Sequence, residues 1–446
     1  MMYSDIATIT NSEQAIGARP VSSSFTSRRF GAFYNKPKFV TFIQTYVTGD
    51  INILTAYLKR QHPVFNLPIL FLRAVSAPIF LNNPISGFVI LVALFVGHPW
   101  HALCGTVGLV AAIAIALISR QNNDLLGNGS VTCNGLLVGL FLSLYIQRPD
   151  WTPTILLPII IIAAFTPLVV SGLNDTFSRL DLPIFNLPFN ICTIVFLGAS
   201  GKSNYFFPVE IQSAEHLNAQ SFANSTVDWN QILLAIPCGV SRIYGIENYV
   251  TGCLILIAVA IAQPITLLHV VLSAFLAVAT GLSLAVPPIQ IYSGMWSYNS
   301  ILTSTALGGY FWVFTWQSTL LALSAGLFTT YTYGCMCNVS QSFGLPPIQF
   351  PFALTTLIFI AITTNSHGLV RVPLNDVTYP EEHLSKYRQL LVLEEEHAIQ
   401  QQVAEDRANR LIESSGLSED HRTWSPDNEY WGDKSATTSN NSSSKF

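Results

Sequence analysis

The sequence predicts an all-α polytopic membrane protein, and three observations predict it. Only 10% of the 446 residues are charged, where an ordinary soluble domain carries about 25%. The charges crowd at the ends: 7 fall in residues 1–45 and 22 in residues 371–446, and none lies between Tyr249 and Val370. Through the middle, apolar runs recur near the length of roughly 20 residues that a spanning helix needs. Water-facing surfaces require about 25–35% charged residues, so this middle faces a lipid bilayer.

The same composition excludes other classes. A net charge of −4 offers no basic field for nucleic acid. The seven cysteines (Cys104, Cys133, Cys192, Cys238, Cys253, Cys335 and Cys337) lie in or beside apolar stretches, none with zinc-like spacing. They read as buried, inert thiols, and neither a metal nor a cofactor is expected. The polar N-terminus has no apolar h-region, so no cleaved signal peptide is expected.

Taken in order, residues 1–60 carry an excess of Lys and Arg, from Arg19 to Arg60, which places them in the cytoplasm by the positive-inside bias. Residues 61–198 form a first transmembrane unit with apolar runs at about 85–103, 103–118, 134–147, 153–171 and 182–198. Residues 199–231, with Lys202, Glu210, Glu215 and Asp228, form an extracellular loop. A second unit, 232–370, has runs at about 250–268, 268–286, 299–316, 317–337 and 350–365. Ahead of each set stands a shorter apolar stretch, at about 66–81 and 232–246. These are too short to cross and too apolar for a loop, so they predict re-entrant half-helices, which survive at membrane depth only where buried or lining a cavity. Ten spans return the tail, 371–446, to the cytoplasm. Within it, residues 381–413 read as a charged amphipathic helix and the remainder as disordered.

The two units are related. Ala77 to Gly87 lines up with Arg242 to Gly252 at an offset of 165, matching Asn83 to Asn248 and Ser86 to Thr251. The same offset takes Pro99 to Pro264, Asn134 to Asn299 and Leu137 to Leu302. An offset of 163 takes Leu182-Pro-Ile-Phe-Asn-Leu-Pro-Phe189 to Leu345-Pro-Pro-Ile-Gln-Phe-Pro-Phe352. Five spans per unit is an odd number, so the second unit is expected upside down. Inverted repeats with broken helices place a substrate path near the midplane.

With those repeated elements laid out, the sequence resembles the urea transporter family over about residues 60–385. The resemblance is carried by Asn83-Pro-Ile-Ser-Gly, Pro99-Trp100, the Leu182–Phe189 element, Ile236-Pro-Cys-Gly-Val240 and Trp296-Ser-Tyr-Asn299. Gly308-Gly309, Thr315-Trp-Gln317, Phe343-Gly-Leu-Pro-Pro347 and Val372-Pro-Leu-Asn-Asp-Val-Thr-Tyr-Pro-Glu-Glu382 follow in order. It implies passive, channel-like permeation of urea by a homotrimer with one pore per subunit. The family's slot, carried onto this chain, falls on Ala77, Pro78 and Phe80, then Cys133 and Leu137. In the second unit it falls on Arg242, Ile243 and Gly245, then Tyr298 and Leu302, with Asn186 and Gln349 at the midpoint. Urea is flat, neutral and polar, so a slot must replace the water it strips, while binding weakly enough to release.

Several of these positions depart from the family pattern. Cys133 stands for an aromatic residue, Ala77 and Arg242 for Gln or Glu, and Asn186 and Gln349 for Thr. They leave open another small neutral solute, such as an amide, a urea analogue, ammonia or water. A non-conducting scaffold acting through its tail is a third reading. Arg242 either snorkels to the interface or pairs with Glu247, or it sets a guanidinium at the pore mouth, where it excludes cations or blocks the pore. Asn186 and Gln349 add N–H donors that Thr lacks. His98, His101 and His269 are scattered at span ends, and Asp175 and Asp181 surround a turn without a paired carboxylate. No Ser/His/Asp grouping or phosphate-binding glycine loop appears, so no enzyme is expected. Asn224-Ser-Thr226 is a glycosylation acceptor in the extracellular loop.

Overall fold

The computed structural model describes residues 47–51, 66–121, 127, 129–146, 148–209, 227–366 and 368–414. Among them β-structure is limited to two isolated bridges, Ile146 with Val209 and Trp312 with Arg371. The first helices are α1 (Leu67–Ser76, ending in the tight turn Ala77–Ile79), α2 (Pro84–Gly97), α3 (Pro99–Ile118), α4 (Cys133–Tyr145), α5 (Leu156–Arg179) and α6 (Leu187–Ser200). They are followed by α7 (Trp229–Arg242), α8 (Tyr249–Ala262), α9 (Pro264–Ser283), the short α10 (Pro288–Tyr292), α11 (Tyr298–Thr305), α12 (Trp316–Gln341), α13 (Phe350–Ile360) and α14 (Pro380–Ser414).

Amides and prolines set the helix starts. Asn83 Oδ1 accepts the N–H groups of Ile85 and Ser86 at 2.9 and 3.2 Å, and Asn248 Oδ1 accepts those of Val250 and Thr251 at 2.8 and 3.1 Å. Each cap satisfies first-turn donors that the helix itself leaves free. Pro99 and Pro264 open α3 and α9, where a missing N–H costs nothing. Proline also forces its predecessor out of the helical region, and His98 and Gln263 are indeed extended (φ −154° and −147°). The expected runs 85–103 and 250–268 are therefore cut at Gly97 and Ala262.

That cut shortens the helices. Among the described residues, four are long and apolar enough to cross a bilayer: Pro99–Ile118, Pro153–Arg179, Pro264–Ser283 and Trp316–Gln341. The pair Leu67–Ile79 and Pro84–Gly97 is apolar enough only when taken together and is bent by 75°, the geometry of a broken span or of a re-entrant segment. At 14 residues each, α2 and α8 reach about 21 Å, short of the roughly 30 Å hydrocarbon core. The expected run 299–316 also departs from a single helix. Helix α11 stops at Thr305 and opens into a wide turn, Ala306–Tyr310, in which Gly309 takes φ 128°.

Elements 165 residues apart make matching contacts. Ser86 donates to the Ala258 carbonyl at 2.8 Å, and Thr251 donates to the Ala93 carbonyl at 3.0 Å. These are one contact made twice, in opposite directions, across the α2–α8 interface. A Cβ on Gly87 would lie 1.9 Å from the Leu72 carbonyl oxygen, and one on Gly252 1.8 Å from that of Pro237. In the α3–α4 pair, Gly108 and Gly135 bring backbones together, a Cβ on Gly108 meeting the Gly135 carbonyl at 2.3 Å. Their counterparts are Ser273 and Ser300, whose hydroxyls hydrogen-bond at 2.9 Å.

The core lies around α4 and α11. Every residue of α4 from Cys133 to Ser143 is buried, as is every residue of α11. Apolarity all round suits α4, whereas α11 is polar and its hydroxyls are satisfied by neighbours. Ser300 donates to Gly326 O at 2.8 Å, Ser304 to Ala322 O at 2.9 Å, and Thr329 to Thr303 at 2.9 Å. Outward, Phe88, Val96, Leu157, Phe165, Val195, Phe275 and Phe328 are exposed, an apolar surface fit for lipid rather than water. Among the cysteines, Cys104, Cys133, Cys192 and Cys238 are buried, but Cys253 and Cys335 are exposed and Cys337 is half-buried. That corrects the expectation of seven buried thiols, because an apolar neighbourhood in sequence can equally be a lipid-facing one.

The chain divides into two compact units, one ending at Tyr387 and the other beginning at Arg388. Helix α14 runs for 35 residues, close to the expected 381–413, and from Leu391 to Leu411 it is exposed.

Candidate functional site

Two helix N-termini, those of α6 and α13, meet, and their cap residues are Asn186 and Gln349. Neither side chain caps its own helix, which frees both amides. Asn186 Nδ2 donates to Gln349 Oε1, and Gln349 Nε2 donates to the Ile243 carbonyl at 2.8 Å. Asn190, one turn into α6, ties the two together. Its Nδ2 donates to Asn186 O at 2.9 Å and Oδ1 at 3.2 Å, and its Oδ1 accepts the Gln349 N–H at 3.0 Å. Gln349 is 1% exposed. The two segments are positioned by paired amides on the buried helices, since Asn134 Oδ1 accepts Phe189 N–H at 3.1 Å and Asn299 Oδ1 accepts Phe352 N–H at 3.3 Å. Both helices point their positive ends at this place, which suits a carbonyl oxygen.

On one side the bridge joins a turn that lines a cavity of about 730 Å³. Arg242, Gly245 and Tyr298 from the expected set line it, with Tyr145, Glu247 and Trp296. Arg242 closes α7 and is 5% exposed; its Nε donates to Ser293 O at 3.2 Å and its Nη2 pairs with Glu247. Of the two readings of Arg242, the geometry is the paired one. Gly245 holds φ 72° with Phe141 3.5 Å from where a Cβ would lie, so the turn presents backbone. Tyr298 donates its hydroxyl to the Ile348 carbonyl, which also accepts Asn299 Nδ2 at 3.2 Å.

On the other side the bridge adjoins aromatic rings. Phe80, at φ 61°, packs against Phe185 (6.1 Å between ring centres), Tyr310 (5.2 Å) and Phe352 (6.0 Å). Its carbonyl accepts Gln263 Nε2 at 3.2 Å. Ala77 and Pro78 are half-buried in the turn just before it. Cys133 is buried at the start of α4, its thiol donating to Ser130 O at 3.2 Å. Leu137, Ile243 and Leu302 are buried, and Ile243 reaches the bridge through its carbonyl rather than its side chain.

Several residues at this place were not singled out from the sequence. Asn190 sits four residues after Asn186 on α6, a spacing that turns both to one face. Phe185 and Ile348 share the left-handed conformation (φ 53° and 46°) at the 163 offset, and that offset was the available signal. Tyr244, whose hydroxyl donates to the Val75 carbonyl at 3.0 Å, had none.

One expected separation, that of His98 from His101, is corrected. His98, His101 and Asp150 bring their ligand atoms within 4.8 Å of one another, the two imidazoles stacked at 3.7 Å. His98 Nδ1 already accepts the His101 N–H at 3.4 Å, and the group stands at the N-terminus of α3, where a cation is disfavoured. His269 stands apart, its Nδ1 bonded to Ile265 O at 2.9 Å. Asp175 pairs with Arg179 and Asp181 with Arg371. Asn224 lies outside the described residues.

Comparison with known proteins covers this whole region. Residues 69–364 match a family described as urea transporter. Urea transporter 1 of Rattus norvegicus is 38% identical over 349 residues, 77% of this chain and 89% of the relative. Urea transporter 1 of Mus musculus is 37% identical over 344 residues, and that of Ovis aries 37% over 347, with the same coverage.

Proposed function

The chain belongs to the urea transporter family, and from that premise we propose that it carries urea down its gradient through a narrow pore in each subunit. It is a multi-pass membrane protein and a transporter, not an enzyme. The relatives do not favour the other small solutes that Ala77, Cys133, Arg242, Asn186 and Gln349 had left open.

The observation that carries the reading is the polar amide bridge where α6 and α13 converge, between the turn that lines the 730 Å³ cavity and a cluster of aromatic faces. Stripping urea of water without replacement costs several kcal/mol. Here the Ile243 carbonyl and the Asn186 and Gln349 amides supply acceptors and donors, while Phe80, Phe185 and Phe352 offer flat faces to a flat solute. The two charges on the cavity wall, Arg242 and Glu247, neutralise each other as an ion pair, and Arg242 Nε also donates to Ser293 O.

Around this site we read ten spans and two re-entrant half-helices, as two inverted repeats of residues 61–198 and 232–370. The reciprocal Ser86 and Thr251 bonds and the twin Gly87 and Gly252 approaches support a two-fold relation. We also read a homotrimer in the bilayer, with cytoplasmic segments 1–60 and 371–446 and an extracellular loop 199–231 bearing a glycan on Asn224.

Stopped-flow urea flux in proteoliposomes tests the function. The wild type should exceed empty vesicles, and Arg242→Gln, once shown to elute as a folded protein, should keep a urea flux above them. A wild-type rate equal to that of empty vesicles would overturn the reading.

A further inference from the structure

We propose that the Asn186–Gln349 bridge is an exchangeable gate that selects solutes by amide chemistry. A solute passes by replacing the bridge bond for bond, its carbonyl accepting from Asn186 and its N–H donating to Gln349. The inference rests on the urea reading above and adds a selectivity rule to it.

The argument starts from orientation. Asn190 Nδ2 holds Asn186 Oδ1 and its backbone carbonyl, so Asn186 turns its Nδ2 across the constriction. The Ile243 carbonyl holds Gln349 Nε2, and Asn190 Oδ1 holds the Gln349 N–H, so Gln349 turns its Oε1 to meet it. One donor and one acceptor therefore face each other, already joined. An amide can be O-in or N-in with equal shape; these two are each fixed by a bond on the far side.

Opening such a pair without replacement leaves the half-buried Asn186 donor and the buried Gln349 acceptor unsatisfied, which costs more than the net worth of the bond itself. A solute with one carbonyl and one N–H on adjacent atoms restores both bonds as it enters. Urea and acetamide have that arrangement. Thiourea keeps the N–H groups, but sulfur is a weak acceptor and leaves Asn186 Nδ2 poorly paired. Water offers both functions on one oxygen, so the rule discriminates among solutes of urea's size and not against water.

The test is the permeability of proteoliposomes to urea, acetamide and thiourea, corrected for empty vesicles, with wild type, Gln349→Ala and Asn186→Ala. Each variant is first checked for monodisperse elution. Wild type should pass urea and acetamide faster than thiourea by on the order of tenfold, the scale of one unmade buried hydrogen bond. Asn186→Ala should raise thiourea permeability until the ratio falls to within about twofold, because the donor that sulfur leaves poorly paired is gone, whereas Gln349→Ala keeps that donor and should keep the preference for urea. Equal urea and thiourea permeability in the wild type overturns the gate and leaves the urea pore standing, whether or not the variants fold. An unchanged ratio in folded Asn186→Ala, or a lost one in folded Gln349→Ala, overturns it as well. Urea rates at the empty-vesicle level in all three proteins sink the urea reading, and the gate with it.

Discussion

His383 is held as a neutral imidazole by two backbone groups. Its Nε2 accepts the Thr378 N–H at 2.8 Å, so its Nδ1 carries the proton and donates to Gly309 O at 3.0 Å. Burial is the main cause that pushes its pKa below the usual value, against the favourable Gly309 carbonyl and Glu382. A folded pKa below the unfolded one means stability fully present above about pH 6.5, the unfolded value, and lost as pH falls towards the folded one. His383→Gln in detergent should melt below wild type at pH 7.5, by about 1 kcal/mol for the lost bonds. That gap should close as the pH falls from 7 to 5, and a gap constant with pH would refute the assignment. At this scale the sequence was partly legible. Asn186 and Gln349 were visible because a repeated Leu-Pro element framed them, whereas Asn190 has Ala353 at its repeat position and so left no internal echo. The Arg242–Glu247 pairing was one of two open readings, because five residues across a turn set no distance until the turn is known.

Among elements, the tightest constraint is where α2 meets α1 and α8 meets α7. A Cβ at Gly87 or Gly252 would fall on a backbone carbonyl, which cannot swing aside as a side chain can. Gly87→Ala and Gly252→Ala should each destabilise by at least about 3 kcal/mol, at the upper end of overpacking costs. Gly172 in α5 has nothing within 4 Å of its Cβ position, so Gly172→Ala should be neutral or stabilise by about 0.5–1 kcal/mol. Thermal melts of the three variants in detergent check both. The pattern of elements was largely legible, because apolar runs and the helix-opening prolines and asparagines are local signals. Boundaries were less so: hydropathy runs smoothly through Pro99 and Pro264, while the backbone does not. The wide turn after Thr305 depends on Gly308 and Gly309, which a hydropathy reading passes over as merely apolar.

At the scale of the whole molecule, a pore within each subunit predicts independence. Native mass spectrometry of the purified protein should give three copies. Vesicles holding mixtures of wild type and a blocked variant should show urea flux proportional to the wild-type fraction. A flux that collapses faster than that fraction would mean a shared path. Within one subunit, the pairs Gly108–Gly135 and Ser273–Ser300 settle the same close approach in two chemistries. Moving one residue alone from either half to the other fails. Gly108→Ser drives a Cβ into the Gly135 carbonyl, and Ser273→Gly strips a partner from both Ser300 and Ser304. Only a double exchange keeps either interface whole. Recombination between the two halves of the gene would thus be purged wherever it copies one residue of such a pair without the other.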